Sequence, residues 1–288
     1  MELTNINISS LKKQYLYELV DIYPQREIEN IYLELILEIK KWNKIDFLLH
    51  ENIYLIEAEV LFLKDALEKL KQNIPLQHII GYVNFHDIKI KVTKETLIPR
   101  PETEELVQLI YENNRNKYNL DVLDIGTGSG CIVIALKLLL KNSNCFGLDI
   151  SKKAITIAKE NARNNNSDVV FYNKDVFKYS PTENSLDIIV SNPPYIPELD
   201  KKKMHLNVLN NEPHIALFVK DSNPLIFYEK IADIGLESLK KNGLIYLEIH
   251  EDYANDVVDL LKCKNYINCK IQKDFQGKNR FVVANRYE

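Results

Sequence analysis

The stretch from Leu120 to Asp149 constrains the fold more than any other part of the chain. Leu120-Asp121-Val122-Leu123-Asp124-Ile125 reads as a strand and runs into Gly126-Thr127-Gly128-Ser129-Gly130. A helix follows with Ile132, Ala135, Leu136 and Leu139 on one face, then a second strand, Cys145-Phe146-Gly147-Leu148, that ends at Asp149. This strand–helix alternation implies a parallel sheet covered by helices. Glycines let the backbone turn tightly and come close to a ligand at the helix N-terminus. An acidic residue at the end of the second strand can accept hydrogen bonds from both hydroxyls of a ribose. Singly, a GxGxG is a weak signal and a loop Asp is usually solvated. In this order they predict a nucleoside-cofactor site at Gly126, Thr127, Gly128, Ser129, Gly130 and Asp149.

The alternation continues. Val169-Val170-Phe171-Tyr172 is a third strand, and Asp175, Val176 and Phe177 beyond it are placed to meet an adenine edge and face. Leu186-Asp187-Ile188-Ile189-Val190 is a fourth, followed by Ser191-Asn192-Pro193-Pro194-Tyr195. Two consecutive prolines cannot donate to a ladder, so the strand must end at Asn192. An amide, a proline carbonyl and an aromatic ring then stand just past a strand's C-terminal end, where open α/β sheets bind ligands. The set suits methylation of an amide or amino nitrogen. The Asn192 side-chain oxygen and the Pro193 carbonyl can each accept one N–H of such a group. That holds its lone pair toward a methyl donor and stabilises the charge developing on nitrogen. Tyr195 offers a flat face for a planar group. The plain alternative is a turn, because Asn and Pro are common loop residues.

Composition narrows the partners. The 288 residues carry a net charge of −4, with pI near 6.0, so no global basic field favours duplex DNA or long RNA. Cys131, Cys145, Cys263 and Cys269 show no CxxC pairing, which argues against zinc and against a disulfide framework. The residues around Glu2 lack a basic stretch followed by an apolar one, and no apolar run approaches the ~20 residues of a membrane span. The expectation is a cytoplasmic protein without a membrane segment or a metal.

Before Leu120 the period is helical. Ser9 or Ser10 caps a helix from Leu11 to Ile22; a second carries Pro24 in its first turn, a short third spans Lys44–His50 and a fourth spans Ala58–Leu70. Tyr82–Phe85 and Ile88–Val92 alternate like a hairpin turning on His86-Asp87. Pro101 and the glutamates after it suit a helix's first turn, whereas Arg100, held extended between two prolines, calls for another explanation. Residues 196–224 lack periodicity and read as a long lid or substrate-binding loop. A helix over Leu225–Leu239, a strand over Gly243–Ile249, a helix over Tyr253–Leu261 and an antiparallel pair, Cys269–Lys273 with Arg280–Val283, complete the chain.

Taken together, Pro75-Leu76-Gln77-His78-Ile79-Ile80-Gly81, Ile98-Pro99-Arg100-Pro101-Glu102-Thr103-Glu104, the glycine loop, Asn192-Pro193-Pro194-Tyr195-Ile196 and Asp274, Gly277 and Arg280 resemble the peptide chain release factor glutamine methyltransferases, the PrmC or HemK family. The glycine loop and NPPY recur in many S-adenosylmethionine (SAM) enzymes, while PRPETE behind a helical region is particular to this one. The resemblance implies an α/β fold: a SAM-dependent methyltransferase, Rossmann-like, doubly wound sheet with an N-terminal helical bundle. It divides the chain into a substrate-docking domain at 1–80, a linking hairpin at 81–98 and a methyltransferase domain at 99–288. It implies methyl transfer from SAM to the glutamine of the Gly-Gly-Gln loop of class I release factors, by a monomer without direct nucleic-acid binding. Asn192, Pro193 and Tyr195 would be catalytic, and Pro194 and Arg100 would join them in binding substrate. Asp175, Val176 and Asn192 would join the glycine loop and Asp149 around SAM. Two positions depart from the family pattern: His250 stands where a glycine is usual, and Val176 where relatives can carry tryptophan. Methylation of an exocyclic amino group of adenine or guanine, and an inactive SAM-binding scaffold, remain as alternatives.

Overall fold

The computed structural model describes residues 6–50 and 52–287. The residues around Glu2 lie outside them. The chain divides into two compact units, one of residues up to 81 with 206–211, the other of residues 82–205 with 212–288.

The first unit is helical. α1 (Ile8–Leu19) is capped by Asn7 and not by Ser9 or Ser10; its side chain accepts the Ser10 N–H at 2.7 Å. An Asn just outside the helix can turn its oxygen onto the exposed amides, which a serine already inside the first turn cannot do. α2 (Gln25–Lys40) follows Pro24, and α3 (Lys44–Leu49) opens on a reciprocal cap between Asn43 and Asp46. α4 (Glu57–Lys71) leads to α5 (Leu76–Ile80), a helix too short to leave a period in the sequence. Tyr15, Leu19, Ile28, Tyr32, Leu35, Leu63 and Leu67 fill the unit's core. The Tyr15 and Tyr32 rings meet edge to face at 4.9 Å. Their hydroxyls donate to the Leu63 and Ile8 carbonyls, so each buried phenol keeps a partner.

The second unit begins with the hairpin β1 (Tyr82–Phe85) and β2 (Ile88–Lys91), turning on His86 and Asp87, both with positive φ. By packing the hairpin belongs here: Phe85 and Ile90 enter this unit's core, and Asn161 bonds both the N–H and the carbonyl of Lys91. There follow α6 (Pro101–Asn114), β3 (Asp121–Ile125), α7 (Cys131–Leu139), β4 (Asn144–Asp149), α8 (Lys152–Asn164), β5 (Val169–Asn173) and β6 (Leu186–Ser191).

Residues 196–224 are not the featureless loop their composition predicts. β7 (Ile196–Pro197), α9 (Leu206–Asn211) and β8 (Phe218–Val219) lie among short 3-10 turns, and β7 pairs with β8. Elements of two to six residues are too short to show periodicity. α10 (Ile226–Ser238), β9 (Leu239–Glu248), α11 (Ala254–Cys263), β10 (Tyr266–Lys273) and β11 (Asn279–Arg286) end the chain. β9 starts before the expected Gly243, because its register with β6 jumps from Leu186↔Leu239 to Ile188↔Leu244 around Asn242, at φ 62°.

The seven strands lie in the order β5-β4-β3-β6-β9-β11-β10, with β11 antiparallel to both its neighbours and the others parallel. Val122 packs with Val107, Ile134 and Ile155 on one face of β3, and Leu123 with Ile231 and Leu261 on the other. Burial on both faces is why β3 and β6 are apolar without alternation. From β3 the chain builds outward to β4 and β5, then returns to lay β6 on the other side. That reversal opens a crevice at the carboxyl ends of β3 and β6. Among the described residues no helix is long and apolar enough to cross a membrane.

Candidate active site

A cavity occupies this crevice. Of the residues singled out from the sequence, Gly126, Gly128, Asp149, Asp175, Val176, Asn192, Pro193 and Pro194 line it; Thr127, Ser129, Gly130, Tyr195 and Arg100 do not.

The glycine loop is tied down from beneath. The Gly126 and Thr127 N–H groups donate to the Leu148 carbonyl at 2.8 and 2.9 Å, and Thr127 Oγ1 donates to Asp124 Oδ2 at 2.6 Å. Thr127 therefore points into the sheet edge and away from the cavity. Burial pushes the Asp124 carboxyl up to about 7, against the pull of the Thr127 hydroxyl. Gly130, at φ 83°, leaves no room for a side chain: a Cβ there would lie 3.0 Å from Ile134 Cδ1 and 3.2 Å from Ala158 Cβ. Gly130 shapes the loop and does not itself line the cavity.

Asp149 accepts from Gly128 N at 2.9 Å and Ser151 N at 2.8 Å, one bond to each oxygen. Each oxygen keeps a second lone pair for a diol. Burial raises its pKa, and the two backbone bonds oppose the rise. Asp175 accepts the Phe177 N–H at 3.0 Å. Beyond Val176 the wall is apolar, with Ile150, Phe177 and Phe227 around the cavity and the two phenyl rings 5.3 Å apart. Phe227 comes from α10, and no local pattern in the sequence pointed to it. A carboxylate for a diol beside a slot for a flat apolar ring is a donor set that fits SAM. Among the described residues no group of His, Cys, Asp or Glu could hold a metal ion, and none of the four cysteines is in a disulfide.

At the other end of the cavity, Ser191 Oγ donates to the Ile125 carbonyl at 2.6 Å, fastening β6 to β3 immediately before Asn192. Asn192 Nδ2 donates to Thr103 Oγ1 at 3.2 Å, and Thr103 Oγ1 donates to Glu248 Oε2 at 2.8 Å. The other oxygen of Glu248 accepts the Tyr195 hydroxyl at 3.2 Å. Tyr195 is thus turned toward a buried carboxylate, with its ring edge-on to His250 at 6.1 Å, and is not among the residues that line the cavity. Burial carries the Glu248 carboxyl up to about 7, against the Thr103 hydrogen bond and the charge of Arg280. Arg280 is held by Asp274 at 3.0 Å, and Asp274 also accepts the Gln276 and Lys278 N–H groups. Arg100 is drawn onto Glu212 at 2.6 Å, and the second oxygen of Glu212 accepts the Ile98 N–H. Thr103 stands in a stretch the sequence marks, but no role was read from the sequence for it or for Glu248 and Glu212, because their partners are brought together only by the fold.

Sheet order, glycine loop and cavity define the class as a Rossmann-like methyltransferase. The comparisons agree. Residues 116–256 match the family described as "Methyltransferase domain", and residues 26–81 the "PrmC N-terminal domain". Two solved structures share the fold: a methyltransferase from Pyrococcus furiosus (17% identity, 78% of this chain and 100% of that one, TM-score 0.52) and the T. thermophilus 16S rRNA N2 G1207 methyltransferase in complex with AdoMet and guanosine (16% identity, 71% and 49%, TM-score 0.51). The release factor glutamine methyltransferase of Flavobacterium psychrophilum is 38% identical over 96% of this chain and 99% of that protein. The protein of the same name from Bacteroides thetaiotaomicron is 39% identical over 93% and 96%. The chain belongs to the family of release factor glutamine methyltransferases.

Proposed function

We propose that the protein transfers a methyl group from SAM to the side-chain amide nitrogen of the glutamine in the Gly-Gly-Gln loop of class I release factors. The observation that carries the reading is the Asn192 amide at the edge of the cavity, held by its NH₂ end so that Oδ1 is the end left for a substrate. In this reading Oδ1 and the Pro193 carbonyl accept the two N–H groups of the substrate amide, align its lone pair and stabilise the positive charge that grows on nitrogen. SAM, when bound, supplies an electrophilic methyl carbon. The N–C bond forms as the S–C bond breaks, a neutral thioether leaves, and the surplus proton departs to solvent after transfer. Asp149 holds the ribose, and Asp175, Val176 and Phe177 border the adenine. The helical unit docks the release factor and Arg100 helps hold the incoming loop, in a monomer acting in the cytoplasm without binding nucleic acid. Labelled SAM offered with purified release factor, DNA and total RNA tests the reading. Label is expected in the release factor alone and to be lost when its glutamine is replaced. Label in nucleic acid would favour the exocyclic-amine alternative, and none in any substrate the scaffold.

A further inference from the structure

Methyl transfer of this kind needs Asn192 to meet the substrate nitrogen with its oxygen, yet an amide can sit either way round. The choice is made outside the cavity. Glu248 is 1% exposed and Thr103 3%, and neither lines the cavity. An ionised carboxylate can only accept, so Thr103 must give its one hydroxyl hydrogen to Glu248 Oε2. Its oxygen then has only lone pairs for Asn192, which must answer with an N–H. That turns Oδ1 away from Thr103. We infer that the negative charge of Glu248 sets the polarity of the Asn192 amide through Thr103, which makes Glu248 and Thr103 positioning residues for methyl transfer. The inference rests on the acceptor role proposed for Asn192.

Protonation of Glu248 reverses the chain of donors. Its new O–H can donate to Thr103, whose hydrogen is then free for Asn192 Oδ1, and the NH₂ swings toward a substrate that also carries N–H groups. Donor faces donor, and the alignment is lost. The groups facing Glu248 are Thr103 and Glu102 from α6, Tyr195, Tyr228 from α10, Arg280 from β11 and Cys131 from α7. Burial outweighs the pull of Arg280, so the reversal falls in an accessible range, about 7.

Thr103→Val keeps the shape and removes both hydrogen bonds; Thr103→Ser keeps them. Thr103→Val should lower kcat with intact release factor about 10-fold or more while SAM Kd changes less than about threefold. The fall in kcat toward acid pH should vanish in Thr103→Val and return in Thr103→Ser. Wild-type kcat in Thr103→Val, or an unchanged acid limb, overturns the inference. Asn192→Ala runs in parallel. If it loses kcat while Thr103→Val does not, only the positioning chain fails; if it keeps wild-type kcat, the acceptor role fails first. Should Thr103→Val not fold, the side-chain ¹⁵N signal of Asn192 in the wild-type protein, assigned by its loss in Asn192→Ala, decides. A signal that titrates with the acid limb supports the inference, and one that stays flat overturns it.

Discussion

Asn192 and Asp149 line the same cavity and face different chemistry, so their removal should separate cleanly. Asn192→Ala is expected to lower kcat about 100-fold or more with SAM affinity nearly unchanged, because the amide acts on charge that appears only in the transition state. Isothermal titration showing an equal loss of SAM affinity would make Asn192 a structural residue. Asp149→Ala should do the reverse, weakening SAM by about 2–4 kcal/mol through two lost charge-assisted hydrogen bonds. Unchanged affinity by calorimetry would remove Asp149 from the site. Residue type was legible in the sequence for both, and so was position, Asp149 at the end of one strand and Asn192 just past the end of another. What was not legible was direction. Thr127 and Tyr195 stand in the motifs the sequence marks, but their hydroxyls go to Asp124, three residues back at the end of β3, and to Glu248, which only the fold brings near.

Among the elements, the glycine loop depends most on residues without a side chain, since Gly126, Gly128 and Gly130 all have positive φ. Gly130→Ala combines a left-handed backbone with a close approach to Ile134 and Ala158, and should cost about 1–3 kcal/mol. A thermal melt unchanged within about 1 °C would show that the loop yields more easily than its packing implies. The long buried strands β3 and β6 were readable as apolar runs, and their placement followed from one glycine turn. α5, α9 and the two-residue strands β7 and β8 were not, since a period needs more than one turn of helix or a few strand residues to appear. The bulge of β9 was hidden for another reason: register depends on the neighbouring strand, not on the residues that slip.

Across the whole molecule two buried carboxyls dominate the pH response. Asp124 and Glu248 both have pKa values raised to about 7 in the folded state. Their favourable contribution is complete below the ordinary carboxylate range and is lost as pH rises through about 7. The protein should therefore be about 1–3 kcal/mol less stable to urea at pH 8 than at pH 6, and the Asp124→Asn, Glu248→Gln double variant should flatten that slope. Activity runs the other way, since the inferred positioning of Asn192 needs Glu248 ionised; stability without a downward slope would contradict the burial that raises both groups. A chain beginning at Val83 retains the sheet and the cavity. It should bind SAM within about threefold of the full chain, lose most kcat/KM toward intact release factor, and change little toward a short Gly-Gly-Gln peptide. Wild-type turnover of the intact factor would leave the helical unit as a stability element. That unit is not one continuous piece of chain. Residues 206–211 belong to it, and Asn211 donates to the Asn73 carbonyl at 2.8 Å, although the residues on either side of them belong to the second unit. A module acquired by joining two genes end to end has a single seam, whereas here the polypeptide crosses the boundary three times. Exchanging helical bundles between relatives by one splice at Gly81 would pair a foreign bundle with a native α9. A working chimera should need residues 206–211 to travel with the bundle, so these six residues and the chain up to Gly81 are heritable only as a set.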